Sequence, residues 1–362
     1  MQLGYFAMPA HPPERDIRQG FEWDLEVIRW LDELGYAEAW VGEHHTVPWE
    51  PNPAPDILIS QAIAQTKTIR LGPGGFLLPF YHPAALADRI SLLDHISGGR
   101  INFGIAASSI PTDQALFGVD PSEIRDRTRE SLDMILRLWA ADEPFTQQGK
   151  FWKIARPEPA LGDTFRPFLK PVQAPHPPIG VAGLSPNSET LRLAGERGFL
   201  PMSLNLNAGY LASHWAAVEA GAVSAGRTAN RKDWRIVRNI LVADTDAEAR
   251  RLAIGGCMGR MEEEYALKLV RTFGMLGFLK HDPDVPDSDV TLDYMADHNW
   301  IVGSPATVAE KLEALNQRVG GFGSLLALGF DYIEDAGAWR HSLELLSGEV
   351  LPLINRGSAG QS

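Results

Sequence analysis

Short apolar runs alternate with amphipathic stretches along most of this chain, about eight times over. A pattern of that kind admits few folds. A short apolar run followed by a helix and then another apolar run is the signature of parallel strands joined by crossover helices. The first run covers 3–8. Val27, Trp30, Leu31 and Leu34 then fall at i, i+3, i+4 and i+7, one face of a helix that Gly35 ends. Further strands are expected at 37–42, 69–78, 101–106, 178–182, 200–204, 234–243 and 324–328, with helices between most of them and a closing helix over 339–354. The fold class expected is α/β, a (β/α)8 TIM barrel with insertions.

Two stretches break the rhythm. Residues 140–177 are rich in Pro and aromatics and read as a hairpin and loop excursion. Residues 253–300 hold the one cysteine, Cys257, and an acidic segment at 282–289, and suit a lid or a subunit contact. No linker divides two cores, so one domain is expected over 1–355, with a frayed tail at 356–362.

Composition excludes several classes. The net charge of −13, with no basic run, argues against nucleic-acid binding. A lone cysteine permits no intrachain disulfide and no multi-cysteine metal site. No apolar stretch approaches the roughly 20 residues of a membrane helix. The N-terminus lacks the basic start and apolar core of a signal peptide, so a cytoplasmic protein is expected.

Barrel enzymes carry their reacting groups at the C-terminal ends of the strands, and the residues just past each run are informative. After the second run stands Glu43-His44-His45. Neighbours on an extended segment point to opposite sides, so only one histidine can face the barrel mouth. An imidazole exchanges protons near neutral pH, and His44 is the acid–base candidate; an imidazole satisfied by a loop carbonyl is the plainer alternative. No second ligand pair stands at another strand end, so no metal site is expected. Gly72-Pro73-Gly74-Gly75 interrupts the third run, which suits a bulge, a barrel corner or close approach to a ligand. The fourth run ends in small residues, Gly104 to Ser109, with room for a flat ligand. Ser185-Pro186-Asn187-Ser188 and Ser304-Pro305-Ala306-Thr307 both read as helix starts, and capping alone explains either. With no phosphate-binding glycine loop and no nucleophile elbow, the chain suits a cofactor that carries the reaction itself.

Several motifs together resemble the bacterial luciferase-like family of two-component flavin monooxygenases. They are Trp40 to His45, Leu78-Pro79 with His82-Pro83, Leu92-Leu93-Asp94, Ser97-Gly98-Gly99-Arg100, Val242 to Asp246 and Val302 to Pro305. The limonene and alkanal monooxygenase branches are the nearest in character. The resemblance implies reduced FMN, supplied by a separate NAD(P)H-flavin reductase, with O2 as co-substrate and a small apolar substrate. It implies that His44 is the active-site residue. It places a non-prolyl cis peptide at Gly74-Gly75, puts Val181, Ala182 and Gly183 beside the flavin ring, and puts Ser185 and Ser188 near its phosphate. An arginine of Arg125-Asp126-Arg127 is the phosphate partner, with Arg127 preferred, and Ser304 is only a cap. Where luciferases carry Cys and Arg at the end of the fourth strand, this chain has Ala106 and Ala107, and the missing arginine bears on phosphate affinity. A homodimer is implied as well. Two rival readings share the barrel: a deazaflavin-dependent hydride transferase and a non-catalytic flavin-binding homologue.

Overall fold

The computed structural model describes the backbone of residues 1–359 and the side chains of residues 1–355. The tail expected at 356–362 lies outside the residues whose side chains are described. The strands are β1 (Gln2–Ala7), β2 (Glu38–Val41), β3 (Arg70–Pro73), β4 (Phe76–Leu77), β5 (Phe103–Ala106), β6 (Phe145–Gln148), β7 (Lys153–Arg156), β8 (Ile179–Gly183), β9 (Leu200–Ser203), β10 (Arg235–Arg238), β11 (Ile240–Val242), β12 (Ile301–Gly303) and β13 (Ser324–Leu328).

Nine of these form one parallel sheet in the order β3-β2-β1-β13-β10-β9-β8-β5-β4. β3 and β4 are one barrel position interrupted at Gly74-Gly75, so the sheet has eight positions. A parallel bridge between Leu71 and Ile101 brings its two ends together. This is the TIM barrel that the alternating pattern predicts.

The strands alternate as the barrel requires. Leu3, Tyr5 and Ala7 of β1 pack outward with the helix layer, in a core that runs from Leu3 to Ile354. Phe6 points inward to Trp40, Met202, Val237 and Leu326, which fill the barrel interior. Gly180 leaves room for the indole: a Cβ there would stand 2.7 Å from the Trp40 ring. At the N-terminal end, buried Glu38 pairs with Arg235 across the interior at 3.0 Å.

Three elements depart from the sequence expectation. The run 234–243 is two strands: β10 stays in the barrel, while β11 leaves it to pair with β12. The break falls at Asn239, whose carbonyl accepts from Ile301 N–H at 2.9 Å. A 17-residue helix, Ala208–Ser224, has no counterpart in the periodicity reading because its small residues leave a weak amphipathic pattern. It packs closely on the helix Glu189–Arg197, where Gly195 and Gly221 let the backbones meet. The helix expected after Ser185 starts instead at Glu189, capped by Ser188.

Both irregular stretches stand where expected. The first contains the antiparallel hairpin β6–β7. The second is a series of short helical segments, including a π-helical turn, Glu262–Ala266, ahead of the helix Leu292–His298 and β12.

Candidate active site

The loop after β2 folds back on itself and aims its three polar residues. Asn52 Nδ2 donates to the Gly42 carbonyl at 2.7 Å, and His44 N–H donates to the Asn52 carbonyl at 3.1 Å. Glu43 and His45 share one side, as alternation predicts. Glu43 Oε1 accepts from His45 Nε2 at 2.8 Å and from the Tyr81 hydroxyl at 2.9 Å, while Oε2 accepts from Leu77 N–H at 3.2 Å. His45 lies edge-on to Phe80 and Phe117, so it is part of the wall.

His44 points the other way, between two buried carboxylates. Its Nδ1 lies 3.3 Å from Asp113 Oδ2, and its Nε2 lies 3.4 Å from Glu50 Oε2. Asp113 sits in the short helix Pro111–Leu116 that follows β5, and also accepts from Thr46 Oγ1 at 2.5 Å and from His45 N–H at 3.3 Å. Glu50 accepts from the Tyr265 hydroxyl at 3.0 Å, which ties the 253–300 stretch to the imidazole through one carboxylate. Burial alone would lower the His44 pKa. The hydrogen bond to Asp113 and the charges of Glu50, Asp113 and Glu43 outweigh it, and the pKa is raised. Glu50 is pushed up by burial against the pull of His44 and Tyr265. Asp113, despite burial, is held below the usual carboxylate range by His44, Thr46 and the His45 N–H.

Two hollows meet at His44. The smaller, of about 390 Å³, is lined by Gly74, Gly75, Ala106, Ala182 and Gly183, with Ser185, Ser188, Thr190 and Arg125 also on its wall. The larger, of about 540 Å³, has a mainly apolar wall that includes Met261, Leu269, Phe273 and Phe278. Phe6, Met8, Leu184 and Met275 line both.

The structure therefore brings His44, Gly74, Gly75, Ala106, Ala182, Gly183, Ser185 and Ser188 to one hollow. The Gly74-Gly75 peptide is cis. The close approach inferred from these glycines is to the next strand as well as to the hollow: a Cβ on Gly75 would stand 2.5 Å from the Gly104 carbonyl carbon. Two expected residues are elsewhere. Val181 packs in the outer core, because alternation along β8 turns it away from the interior that Ala182 faces. Arg127 is held at 3.2 Å by Glu123 and lies over the Phe151 ring, whereas Arg125 lines the hollow. Ser188 Oγ accepts from Leu191 N–H at 3.3 Å, so it both caps its helix and faces the hollow. Ser304 lines neither hollow, and its hydroxyl meets Thr307 Oγ1 at 3.2 Å instead of capping a backbone N–H.

The smaller hollow fits a flat, phosphate-bearing flavin. Its strand-end residues are small, hydroxyls and a cation share its wall, and the buried Ser108 hydroxyl beside it has no partner among the described residues. Among those residues no group of three or more His, Cys, Asp or Glu could hold a metal ion. Among the described residues no helix is long and apolar enough to cross a membrane.

The comparison with known families decides the assignment. A family model described as luciferase-like monooxygenase matches residues 1–321. The chain belongs to the luciferase-like monooxygenase family. Within it, the chain is 35% identical to 2,5-diketocamphane 1,2-monooxygenase 1 of Pseudomonas putida, over 99% of this chain and 100% of that one. It is 31% identical to limonene 1,2-monooxygenase of Rhodococcus erythropolis, over 98% and 87% of the two chains. Among solved structures, the oxygenating constituent of 3,6-diketocamphane monooxygenase from P. putida superposes with a TM-score of 0.93 at 36% identity, covering 97% of this chain and 98% of that one. That protein is described as a type II Baeyer–Villiger monooxygenase in complex with FMN.

The sequence reading of this family member missed Asp113, Glu50 and Tyr265. Asp113 lies four residues beyond Ser109, the last of the small residues that end the fourth run. Glu50 sits in the same loop as His44 and carries no motif, and Tyr265 lies in a stretch with no periodicity to place it.

Proposed function

We propose that this chain is an FMN-dependent monooxygenase that inserts one atom of O2 beside the carbonyl of a small alicyclic ketone. The observation that carries the reading is the pair of hollows meeting at His44, one of cofactor character and one apolar. The FMN-bound relative, similar over nearly its whole length, supports it. One oxygen atom enters the carbon–carbon bond, the other leaves as water, and bound reduced FMN supplies the two electrons. Gly74, Gly75, Ala106, Ala182 and Gly183 would hold the ring, with Ser185, Ser188 and Arg125 at the phosphate. The side chains do the rest. The apolar wall keeps water from the reacting centre. Asp113 fixes the His44 tautomer by accepting from Nδ1, which leaves Nε2 to hold or give a proton at the junction of the hollows.

Delivery of the flavin by a separate NAD(P)H-flavin reductase, a cytoplasmic location and a single unit over 1–355 belong to the same proposal. So does a homodimer, supported by Ile57, Leu92 and Ile96, which are exposed on the early helices Pro55–Gln65 and Pro83–Ser97.

The test supplies purified protein with reductase, NADH, FMN, 18O2 and 2,5-diketocamphane. The expected product is a lactone carrying one labelled atom. His44→Ala should lower turnover about 10²–10⁴-fold with FMN affinity kept, whereas His45→Ala should act through folding. A protein that neither binds reduced FMN nor forms lactone refutes the reading.

A further inference from the structure

Glu262 is a buried carboxyl on the wall of the larger, mainly apolar hollow. It lies on the π-helical turn Glu262–Ala266, a wider turn of a kind often found at functional sites. The same turn presents Tyr265 to the hollow, three residues on. Two other polar groups on this wall are already engaged. Glu50 accepts from Tyr265, and Asn205 Nδ2 donates to Asn239 Oδ1 at 2.9 Å. Glu262 has the Trp300 indole as its polar neighbour, and no cation pairs with it among the described residues. A buried carboxyl without a cation is costly, and on the wall of the hollow it can take a further partner from whatever fills it.

We infer that Glu262 anchors the substrate by hydrogen-bonding a second oxygen function, remote from the carbon that is oxygenated. The inference rests on the monooxygenase reading and narrows the substrate class to an apolar skeleton with two separated polar groups. One is a carbonyl near His44, and the other is a carbonyl or hydroxyl at Glu262. Burial pushes Glu262 up to about 7, so its carboxyl is available as a donor as well as an acceptor near neutral pH. A hydrocarbon or a simple monoketone leaves this group unpaired, and the hollow discriminates against it for the same reason that any polar site rejects an analogue lacking the matching group.

Binding by the purified full chain tests this without turnover. The probes are 2,5-diketocamphane and the monoketone camphor, followed by calorimetry and by the 13C signals of the carbonyl carbons. The parent should bind the diketone about tenfold more tightly than camphor, the worth of one good hydrogen bond. Glu262→Leu should remove that preference and leave camphor affinity within about twofold, while Glu262→Gln, which keeps a donor and an acceptor, should retain it. In the parent, one carbonyl carbon of the bound diketone should move downfield, a reading that needs no variant to fold. Equal affinity of the parent for both ketones, or a preference that survives Glu262→Leu, overturns the inference and leaves the monooxygenase reading standing. A parent that binds neither ketone overturns the ketone substrate and this inference together.

Discussion

Replacing Asp113 with Asn removes a charge 3.3 Å from His44 Nδ1 while keeping size, and puts an amide donor in place of one of its two accepting oxygens. At that separation, with an effective dielectric of about 20, a full carboxylate favours the imidazolium by about 5 kcal/mol before burial is subtracted. Burial of His44 opposes this, and the observed balance is a raised pKa. Asp113→Asn should therefore lower the His44 pKa, because burial remains and only Glu50 and Glu43 still favour the cation. The sign for stability follows. A histidine raised in the folded state stabilises the fold below its unfolded pKa of about 6.5, and the contribution fades as pH rises through the folded value. The variant should lose that low-pH stability. The assay is an NMR titration of 13C-labelled histidine in parent and variant, with Asp113→Ala as a control for packing. Turnover with supplied reduced FMN should show its alkaline limb moving down by the same amount. A His44 titration that stays in place would refute the view that Asp113 governs its proton.

Arg125→Ala should weaken FMN binding about tenfold, whereas Arg127→Ala should leave affinity unchanged, as measured by fluorescence titration. Gly183→Ala should destabilise the fold by about 1–3 kcal/mol and impair FMN uptake, because the added Cβ would crowd the Leu191 side chain and stand 2.9 Å from Ser188 Oγ; denaturant unfolding with and without FMN checks it. His11 is held between Asp24 at 3.1 Å and Asp331 at 2.9 Å; burial alone would lower its pKa, but those two carboxylates raise it to about 9. The fold should accordingly lose about 2–3 kcal/mol between pH 6.5 and 9.5 as that proton leaves, a loss that chemical denaturation should find missing in His11→Gln.

The barrel was legible because its strands obey a period of two and its helices one of 3.6, both visible in the order of apolar residues. In the first strand the period of two puts Phe6 inward and Tyr5 outward. Where small residues blur the pattern, as in Ala208–Ser224, the helix went unseen. The lining of the smaller hollow was legible where chemistry and strand position coincide: His44, Gly74 and Gly75 stand at strand ends, and alternation separated His44 from His45. It was not legible where tertiary contact decides. Nothing local distinguishes Arg125, which lines the smaller hollow, from Arg127, which is held by Glu123 and the Phe151 ring that arrives from the β6–β7 hairpin. Val181 faces the outer core for a local reason, because an implied stretch of three residues crossed both faces of β8.

The two hollows are encoded in different parts of the chain. The smaller is walled by strand ends and the loops that follow them, with Met275 as the contribution of the 253–300 stretch. The larger takes Met261, Glu262, Tyr265, Leu269, Val270 and Phe273, among others, from that one contiguous stretch. What the protein admits can therefore change by replacement of a single segment, while the part that faces the cofactor stays as it is. Exchange of this segment between family members would separate the choice of molecule from the chemistry done to it, provided that Tyr265 is kept, since its hydroxyl is the link by which the exchanged piece reaches Glu50 and His44.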